Sequence, residues 1–491
     1  MASSITAAML YDMVVCPHRV SMDVHGDPAQ RDAASVHRAL LWRRAMVCEA
    51  AIANALNLDT ADHSGLSGAD CERATAAAMA ARKPLIYRGC IRDGELLGTP
   101  DLLRLDDDGY VAGSIRSGAV DDGAEHPRTP RRGFAMQLAL YTDILERMDL
   151  SAGRYGFVID GRGDEIAYEL DAPRGPRTAL TLWQEYQKAL ALVREIVLGA
   201  GVTRPAWSSV CRICVWQSSC LERLEREDDP SLLPEVGRST RDMIAPRFPT
   251  IASLAAADPD ELADEARQLE GVGGAMLSRL YDRAQLAARK RARAYRRAAV
   301  ELPESRTEIF LSVELDPLRD HCFLHGLLER ARGRKPRYRA FFADDASEEA
   351  EENAFAQAWS HLAGAGDAVI YHYGVRDRAV WRLLQERYPQ VCDTDELEAL
   401  FAADTTVDLF TAVVRPRTEW PTREYSVRAI ADYLGVTRRH AVPEGAGYAE
   451  QYEQWLARGE KSDRALILAC NEGDCLAVAA ILDAVRELEP G

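Results

Sequence analysis

The segment CRICVWQSSC, residues 211–220, decides how we expect the first half of the chain to fold. It places three thiols, those of Cys211, Cys214 and Cys220, at C-x2-C-x5-C spacing, one ligand short of a four-thiolate metal site. Cys16, in VVCPHR, is the candidate fourth ligand. Four thiolates suit either an iron-sulfur cluster or zinc. A ligand so far upstream predicts that the residues between fold as one domain held together at its two ends.

Length and composition place the chain among globular proteins of two or three domains. It has 491 residues, of which 47% are hydrophobic and 28% charged. Its apolar runs are too short for a membrane helix, and residues 1–10 lack the pattern of a secretory signal. Eleven unevenly spaced cysteines in so long a chain favour a metal site in a reduced compartment over a disulfide framework. We therefore expect a cytoplasmic protein without a membrane segment.

The charge of the chain is acidic overall but basic in two places. The formal net charge of −17 argues against indiscriminate binding to nucleic acid, because neutralising phosphates requires Lys and Arg. However, residues 283–297 contain seven basic and no acidic residues, and residues 330–339 contain six basic and no acidic residues. These runs are either solvated surfaces or phosphate contacts, and the pattern allows both. The acidic run at residues 344–352 is most simply a solvated face.

The first half of the chain alternates between helical and strand patterns. We predict, in chain order, a helix with Cys16, a helix with Glu49, three short strands, a helix with QLALY and a further helix: Leu10–Val24, Val36–Leu56, Leu85–Cys90, Gly94–Leu103, Gly109–Ile115, the helix around Gln137–Tyr141, and about Pro176–Leu198. GTPD ends one strand pattern with Asp101, and the next ends with SIRSG, residues 114–118.

The order of these features resembles the RecB-like PD-(D/E)XK nucleases that carry a 4Fe-4S cluster, including CRISPR-associated ones. The shared features are the N-terminal Cys, a helix acid, the GTPD strand, a strand ending in SG, Q-x3-Y and the C-x2-C-x5-C segment. The resemblance covers about residues 1–225. It implies cluster ligands at Cys16, Cys211, Cys214 and Cys220, with zinc as the alternative, and catalytic residues that include Gln137 and Tyr141.

The catalytic centre implied by this resemblance is incomplete. Such nucleases hold Mg²⁺ or Mn²⁺ with carboxylates, here Glu49 and Asp101, and place a Lys beside them. In place of the usual D-x-K or E-x-K, this chain has Ser114 and Arg116. A hydroxyl is a poor substitute for a carboxylate ligand, and Arg keeps its proton where Lys can be tuned. We expect hydrolysis to be weakened or lost, and the two acids could equally form a buried hydrogen-bonding pair.

The middle of the chain has the pattern of a connector. Residues 225–249 are polar and predict a linker, after which Ile251–Arg297 is predicted to be helical. The Gly271-Val272-Gly273 segment that interrupts these helices resembles a helix-hairpin-helix element, whose backbone N–H groups can donate to a DNA phosphate. The alternative is a tight connection between two helices.

The second half has the pattern of an α/β sheet. We predict strands and helices at Glu308–Leu315, His321–Leu327, Glu349–Leu362, Ala368–Tyr373 and Ala379–Tyr388, and we place NEGDC, residues 471–475, inside a helix. Together these features resemble the RNase H-like fold of DEDD-type 3′-to-5′ exonucleases, as found fused behind RecB-like domains in a family of bacterial nucleases. This resemblance covers about residues 305–488.

In that fold four acids converge on two metal ions about 4 Å apart. The resemblance implies that Glu314, Asp408 and Asp474 are metal-binding and catalytic, whereas Ser312 stands where the first acid of the strand motif D-x-E belongs. Asp377 lies where the family commonly has Glu. Alternatively, Asp408 begins a helix and Asp474 is an exposed helical acid. The missing acid normally touches both metals, so exonuclease activity is also expected to be weakened.

The sequence therefore predicts an α/β protein of three parts. These are a PD-(D/E)XK restriction-endonuclease-like domain with a four-cysteine cluster, a linker with a helix-hairpin-helix-like segment, and an RNase H-like domain: residues 1–225, 226–300 and 301–491. We expect it to bind or act on nucleic acid, namely DNA ends or single strands, with Mg²⁺ or Mn²⁺ if either site is active. The alternatives are a catalytically silent nucleic-acid-binding or scaffold protein, and a cluster protein with unrelated chemistry.

Overall fold

The computed structural model describes residues 4–33, 36–56, 59–107, 109–116, 131–161, 163–173, 175, 179–316, 319–436 and 446–491. The chain forms two compact units of mixed α/β structure, the first of residues 1–205 and 209–221, and the second of residues 206–208 and 222–491. Ser117 and Gly118 of the predicted SG strand end, and the predicted helix start at Pro176, lie outside the described residues.

The first unit is built from helices packed on a mixed sheet. Its helices are α1 (Ala7–Val15), α2 (Pro17–His25), α3 (Val36–Ala55), α4 (Gly68–Ala80), α5 (Arg132–Arg147), α6 (Leu182–Val197) and, continuing into the second unit, α7 (Gln217–Arg226). Its strands are β1 (Ile5–Thr6), β2 (Thr60–Asp62), β3 (Leu85–Tyr87), β4 (Ile91–Asp93), β5 (Leu96–Gly98), β6 (Leu102–Leu105), β7 (Tyr110–Ile115), β8 (Tyr155–Ile159) and β9 (Glu165–Glu169). The predicted helices that contain Glu49 and QLALY are thus confirmed as α3 and α5.

The main sheet of this unit has the strand order β2-β3-β6-β7-β8-β9, and β1-β5-β4 form a smaller sheet. The helix α5 packs on β7 and β8 and buries an apolar face that includes Leu138, Leu140 and Ile144. Residues of α3 pack with the other side chains of β7, Val111 and Ile115. Because successive strand side chains point to opposite faces, β7 is covered on both sides and has no exposed residue.

The first predicted helix is in fact two helices. α1 ends at Val15 and α2 begins at Pro17, and Cys16 between them has an extended conformation with φ −160° and ψ 98°. The prediction of one helix across Cys16 was wrong because Pro17 disfavours a helical conformation in the residue before it and lacks an N–H to continue the helix. Similarly, the predicted strand Gly94–Leu103 is divided into β5 and β6.

The second unit carries a short helical region followed by a five-stranded sheet. Its further helices are α8 (Arg238–Ile244), α9 (Ile251–Ala255), α10 (Leu262–Gln268), α11 (Gly274–Ala288), α12 (Glu348–Ala363), α13 (Arg376–Arg387), α14 (Thr394–Leu400), α15 (Arg415–Arg417), α16 (Val427–Tyr433), α17 (Ala446–Arg458) and α18 (Lys461–Glu487). Its strands are β10 (Tyr295–Arg296), β11 (Thr307–Asp316), β12 (His321–Ala331), β13 (Arg337–Phe342), β14 (Ala368–His372), β15 (Thr406–Asp408) and β16 (Thr418–Glu419). A π-helix, Leu409–Val414, precedes α15.

The order of the five-stranded sheet is β13-β12-β11-β14-β15. β11 is antiparallel to β12 and parallel to β14, so the predicted hairpin and the following strand are confirmed. Side chains of β11 alternate between two apolar cores. Ile309, Leu311 and Val313 pack in one core with α12 and α13, and Phe310 packs in the other with α18. Ser312 and Glu314 therefore share the α18 side of the strand with Phe310.

The predicted linker is packed against the rest of the second unit. Asp229 and Ser231 are 0% and 1% exposed, and the buried Arg241 bonds to Asp229 at 2.8 Å. This region contains α8 instead of an extended chain, since Leu232, Leu233 and Ile244 supply apolar side chains for burial.

Some arginines of the first basic run form ion pairs inside the unit. The helix α11 ends at Ala288, so the prediction that helix continues to Arg297 was wrong. Glu419, which is fully buried, pairs with Arg279 at 2.6 Å, with Arg283 at 3.0 Å and with Arg297 at 3.4 Å. Arg283 and Arg297 thus serve an internal ion-pair network. The Gly271-Val272-Gly273 segment joins α10 to α11, and its resemblance to a helix-hairpin-helix element stays a prediction.

Among the described residues, α18 is long and apolar enough to cross a membrane by length and composition. Half of its most apolar window, 50%, is buried inside the protein. The helix contacts β11, β12, α16 and α17, and Ile467, Cys475 and Ile481 on it are fully buried. These contacts are those of a core helix, and they give no strong indication of a membrane segment.

Candidate functional site

Two of the carboxylates predicted in the second half meet beside α18. Glu314, only 6% exposed at its side chain, faces this helix from β11. Asn471, on the helix, donates to Ser312 at 3.2 Å and to Glu314 at 3.5 Å. Asp474 lies three residues further along the helix and therefore on the same face. The site thus contains two of the predicted acids and the serine that replaces a third.

Gly326 allows α18 to approach the sheet at this point. It pairs with Ser312 across β11 and β12. A Cβ atom at position 326 would overlap the side chain of Asn471 and come within 3.0 Å of the Tyr338 hydroxyl. That hydroxyl donates to Asn471 Oδ1 at 2.9 Å. The amide oxygen of Asn471 therefore accepts from Tyr338, and its amide nitrogen donates to the Ser312 hydroxyl. The bond to Ser312 joins two uncharged groups.

Burial and mutual repulsion raise the pKa values of the acids in this site. Burial, with the negative charges of Asp474 and Asp377 added, raises the pKa of Glu314 to about 8, although Arg376 opposes the shift. Burial also raises the pKa of Asp377 to about 6, against the lowering effects of His372 and Arg376. The cation nearest to Glu314 is Arg376, at 3.6 Å and half-exposed. The site therefore contains more acids than its own cations neutralise, and it favours the protonated form of Glu314.

Asp474 has a direct hydrogen-bond partner that the sequence does not predict. The Tyr448 hydroxyl donates to Asp474 Oδ2 at 2.6 Å. Burial and the charges of Glu314 and Asp474 raise the pKa of Tyr448, so the phenol stays a proton donor. Asp474 is half-buried, which differs from the alternative of an exposed helical acid.

Asp408 serves a local structural purpose at the edge of the site. It ends β15, and its Oδ1 accepts from the backbone N–H groups of Phe410 at 2.9 Å and Thr411 at 3.1 Å. The same oxygen accepts from Gly374 at 2.8 Å. Asp408 thus begins the π-helix, as the alternative interpretation proposed, and its charge also raises the pKa of Asp377.

In the first unit, each predicted metal-binding acid is bonded to an arginine. Glu49 forms two bonds with Arg88, at 2.7 and 2.8 Å. Asp101 Oδ2 accepts from Arg116 at 3.1 Å and from the backbone N–H of Ile115 at 2.8 Å. Burial raises the pKa of Asp101, and the Arg116 guanidinium opposes that shift. Each of these acids thus has a positively charged partner within the protein.

The remaining predicted catalytic residues of this unit surround Arg116. Gln137 accepts a hydrogen bond from Arg116 at 2.9 Å. Tyr141 donates to the backbone carbonyl of Thr99 at 3.4 Å, and burial raises its pKa. Ser114 is 1% exposed on β7. Asp101, Arg116 and Gln137 are thus bonded to one another.

Three of the four predicted thiolate ligands are electrostatic neighbours. Burial raises the pKa of Cys214, and the nearby Cys16 and Cys211 thiols raise it further, while Arg19 lowers it. All four cysteines, including Cys220, are half-buried. The four sulfur donors suit an iron-sulfur cluster or zinc by their chemistry.

Geometry that would gather metal ligands is not found in the described part of the chain. Among these residues, no group of three or more His, Cys, Asp or Glu side chains is placed to hold a metal ion. The donor types of the cysteine group fit a bound metal, whereas Glu49 and Asp101 fit poorly because arginines occupy their oxygens. In the second unit, the acids fit a divalent cation in charge but lack a carboxylate at position 312.

Sequence patterns did not reveal several residues of these sites. Asn471 had a weak signal, since it lies one helical turn before Asp474. No local sequence pattern indicated Arg88, Tyr448 or Arg376, because their acidic partners are distant in sequence or on another element.

Comparison with known families supports the C-terminal part of the chain. Residues 309–486 match the family model of the RNase_H superfamily. A comparison with curated proteins gave no match. The region from β11 to the end of α18 is therefore an RNase H-like domain, which indicates a nuclease-type function related to nucleic acid.

Proposed function

We propose that this protein binds DNA through its RNase H-like domain and that hydrolysis there is weak or absent. The observation that carries the proposal is the hydrogen bond from Asn471 to Ser312, at 3.2 Å. Two-metal hydrolysis depends on carboxylates that clamp both ions. At position 312 a neutral hydroxyl, already engaged by an amide, takes the place of such a carboxylate.

The acids that remain can still hold positive charge. Glu314 and Asp474 would be the residues that hold a divalent cation, with water completing its coordination, and such a cation would supply Lewis-acid stabilisation of a phosphate oxygen. Tyr448 keeps Asp474 oriented by donating to one of its oxygens. Without a cation these buried acids repel a phosphate backbone, so strand binding requires positive charge from elsewhere.

For the first unit we propose a RecB-like, PD-(D/E)XK-type domain that has lost its metal site. The bonds from Arg88 to Glu49 and from Arg116 to Asp101 support this proposal. Because both carboxylates are neutralised by arginines, we derive no hydrolytic step at this site. Its contribution would be structural or in binding.

Cys16, Cys211, Cys214 and Cys220 are the proposed ligands of a structural 4Fe-4S cluster, with zinc as the alternative metal. Through the metal, Cys16 would link the junction of α1 and α2 to the cysteine segment at residues 211–220. Protein purified without oxygen should contain iron and sulfide and show broad visible absorbance that Cys211→Ser removes. Stoichiometric zinc without iron would reject the cluster, and the absence of both metals would reject the metal site.

DNA binding is tested by fluorescence anisotropy of labelled single- and double-stranded oligonucleotides titrated with the full chain in low salt. We expect saturable binding that weakens as salt increases, because phosphate contacts release counterions. Glu314→Gln, which keeps the side-chain shape and cannot ionise, should bind at least as tightly. A wild-type protein that binds neither probe would contradict the proposed function.

A further inference from the structure

The tip of the β12–β13 hairpin carries an exposed group of basic side chains. We define the basic tip as the four exposed cations of this turn, Arg332, Arg334, Lys335 and Arg337. The turn is closed by a hydrogen bond from the Arg334 N–H to the carbonyl of Ala331, at 3.0 Å.

Gly333 and Pro336 fix the shape of this turn. Gly333 has φ +77°, in the left-handed region that glycine adopts without strain. Pro336 has a fixed φ and no N–H to donate. The segment thus combines a defined backbone with long, mobile, charged side chains.

Acids on the flanking strands are bonded to cations other than those of the tip. Glu329, on β12, accepts a hydrogen bond from Arg339 at 2.7 Å and another from His361. Glu308, on β11, accepts from Arg330 at 2.8 Å. The arginines at the two ends of the second basic run, Arg330 and Arg339, are therefore neutralised by neighbouring acids.

The four tip cations differ from these neighbours. Within the described ranges, no ion pair joins any of them to an acidic side chain, although the whole chain has a formal net charge of −17. The contrast with the first basic run is also clear, since Arg283 there is buried and paired with Glu419. The tip is thus a local excess of positive charge with no described internal partner.

We propose that the basic tip binds the sugar-phosphate backbone of a nucleic-acid strand. This proposal rests on the proposed function and specifies where the strand is held. Three guanidinium groups can each bond two phosphate oxygens, and the lysine adds a mobile point charge. A phosphodiester keeps its negative charge at all relevant pH values, so these exposed groups match it in sign and geometry.

The basic tip, which would attract phosphate, lies far along the sheet from the acidic site around Glu314. Thr307 pairs with Ala331 beside the tip, and Glu314 lies seven residues further along β11, roughly 20 Å at the rise of an extended strand. The tip therefore lies far enough from the carboxylate cluster that its attraction for phosphate is not cancelled by that cluster. At this distance screening by salt is nearly complete, because the Debye length is about 10 Å at 0.1 M.

The test compares two variants of the full chain that have the same formal charge. The tip variant replaces all four cations by glutamine, as Arg332→Gln, Arg334→Gln, Lys335→Gln and Arg337→Gln. The control replaces four arginines of the same unit that pair with acids, as Arg247→Gln, Arg267→Gln, Arg378→Gln and Arg382→Gln. Far-ultraviolet circular dichroism and thermal unfolding check that both variants fold, and Arg334→Glu alone is the fallback if the tip variant does not.

Anisotropy is measured with labelled single strands of DNA and of RNA of about 20 nucleotides, longer than the 4 to 16 that one binding fold covers. The slope of log affinity against log salt should become shallower by about 0.7 for each lost contact, hence by about 2 to 3 for the tip variant. The control variant should keep the wild-type slope. Arg334→Glu should reduce the slope in the same direction by about 1.

Each other outcome has a definite meaning. Equal slopes for the tip variant and wild type would overturn the basic tip while leaving the proposed function intact. Equal losses in the tip and control variants would also overturn it, because net charge alone would then explain binding. A wild-type chain that binds neither DNA nor RNA would overturn both proposals.

Discussion

Glu49 and Asp101 in the first unit are each bonded to an arginine, at 2.7 and 3.1 Å, whereas the arginine that pairs with Glu314 in the second unit is half-exposed and 3.6 Å away. Acids of the same formal charge thus sit in different electrostatic settings. In the first unit the protein itself supplies the compensating charge. In the second, burial and the charges of Asp474 and Asp377 raise the pKa of Glu314 to about 8, although Arg376 opposes the shift.

This difference indicates how readily each site takes up a proton or a metal ion from solvent. A carboxylate held by a guanidinium has little to gain from a metal ion, since binding the ion requires breaking that pair. A buried carboxylate among other acids gains from either a proton or a cation. The second site should therefore respond to divalent metals, and it should respond more strongly to pH than the first, where Arg116 opposes the raised pKa of Asp101.

The largest effect is expected for Glu314→Gln as a function of pH. The folded state raises this pKa from 4.5 to about 8, so between these values the folded protein holds a proton that the unfolded chain has lost. The free energy of unfolding therefore decreases as pH rises through this window, and above it this contribution is constant. The total decrease is up to about 4 to 5 kcal/mol, at 1.36 kcal/mol per pKa unit. The variant lacks this loss, so urea unfolding from about pH 5 to about pH 8 should show its advantage growing with pH.

The matched change in the first unit is Glu49→Gln, which leaves Arg88 without its carboxylate. It should destabilise the protein at every pH in the same range, without a growing advantage at high pH. If both variants gave the same pH dependence, the contrast between the two sites would be wrong.

A smaller effect is expected for Arg116→Ala. It leaves Asp101, 22% exposed at its side chain, without its charged partner, which should cost about 1 to 3 kcal/mol because a largely buried charge loses a hydrogen bond. The double variant Asp101→Asn with Arg116→Ala should recover part of this loss, since no carboxylate is then left unpaired. Denaturant unfolding of the single and double variants measures both numbers, and an unchanged single variant would show that the pair contributes nothing.

The smallest effect is expected from divalent metal. If the second site takes up Mn²⁺ when folded, metal at ten times its Kd should stabilise the protein by about 1.4 kcal/mol. Removal with a chelator should reverse the gain, and Glu314→Gln should abolish it. Stabilisation that survives in Glu314→Gln but disappears in Glu49→Gln would place the metal in the first unit instead.

Local patterns were sufficient for much of the second unit. Alternation along β11 placed Ser312 and Glu314 on one face, and the helical pattern placed Asp474 in α18. Both follow from residues close in sequence, because strand and helix periods decide which side chains share a face. In the first unit, Pro17 carried a local signal for the break at Cys16 that the single-helix prediction overlooked.

The charge pairing could not be read from local patterns. Arg88 lies 39 residues from Glu49, and Arg283 lies 136 residues from Glu419. A run of basic residues looks the same in sequence whether its members face solvent or a distant buried acid. Only the fold separates Arg283, which is buried and paired, from the exposed cations of the basic tip.

If the chain binds a nucleic-acid strand without efficient cleavage, a strand bound to it should stay intact, and this is measured as cleavage of bound substrate. Labelled single-stranded DNA is saturated with wild-type protein in Mg²⁺ or Mn²⁺, and the products are resolved on a gel beside those from Glu314→Ala. We predict that wild type and Glu314→Ala give the same slow background. Metal-dependent cleavage by wild type that Glu314→Ala abolishes would contradict the account.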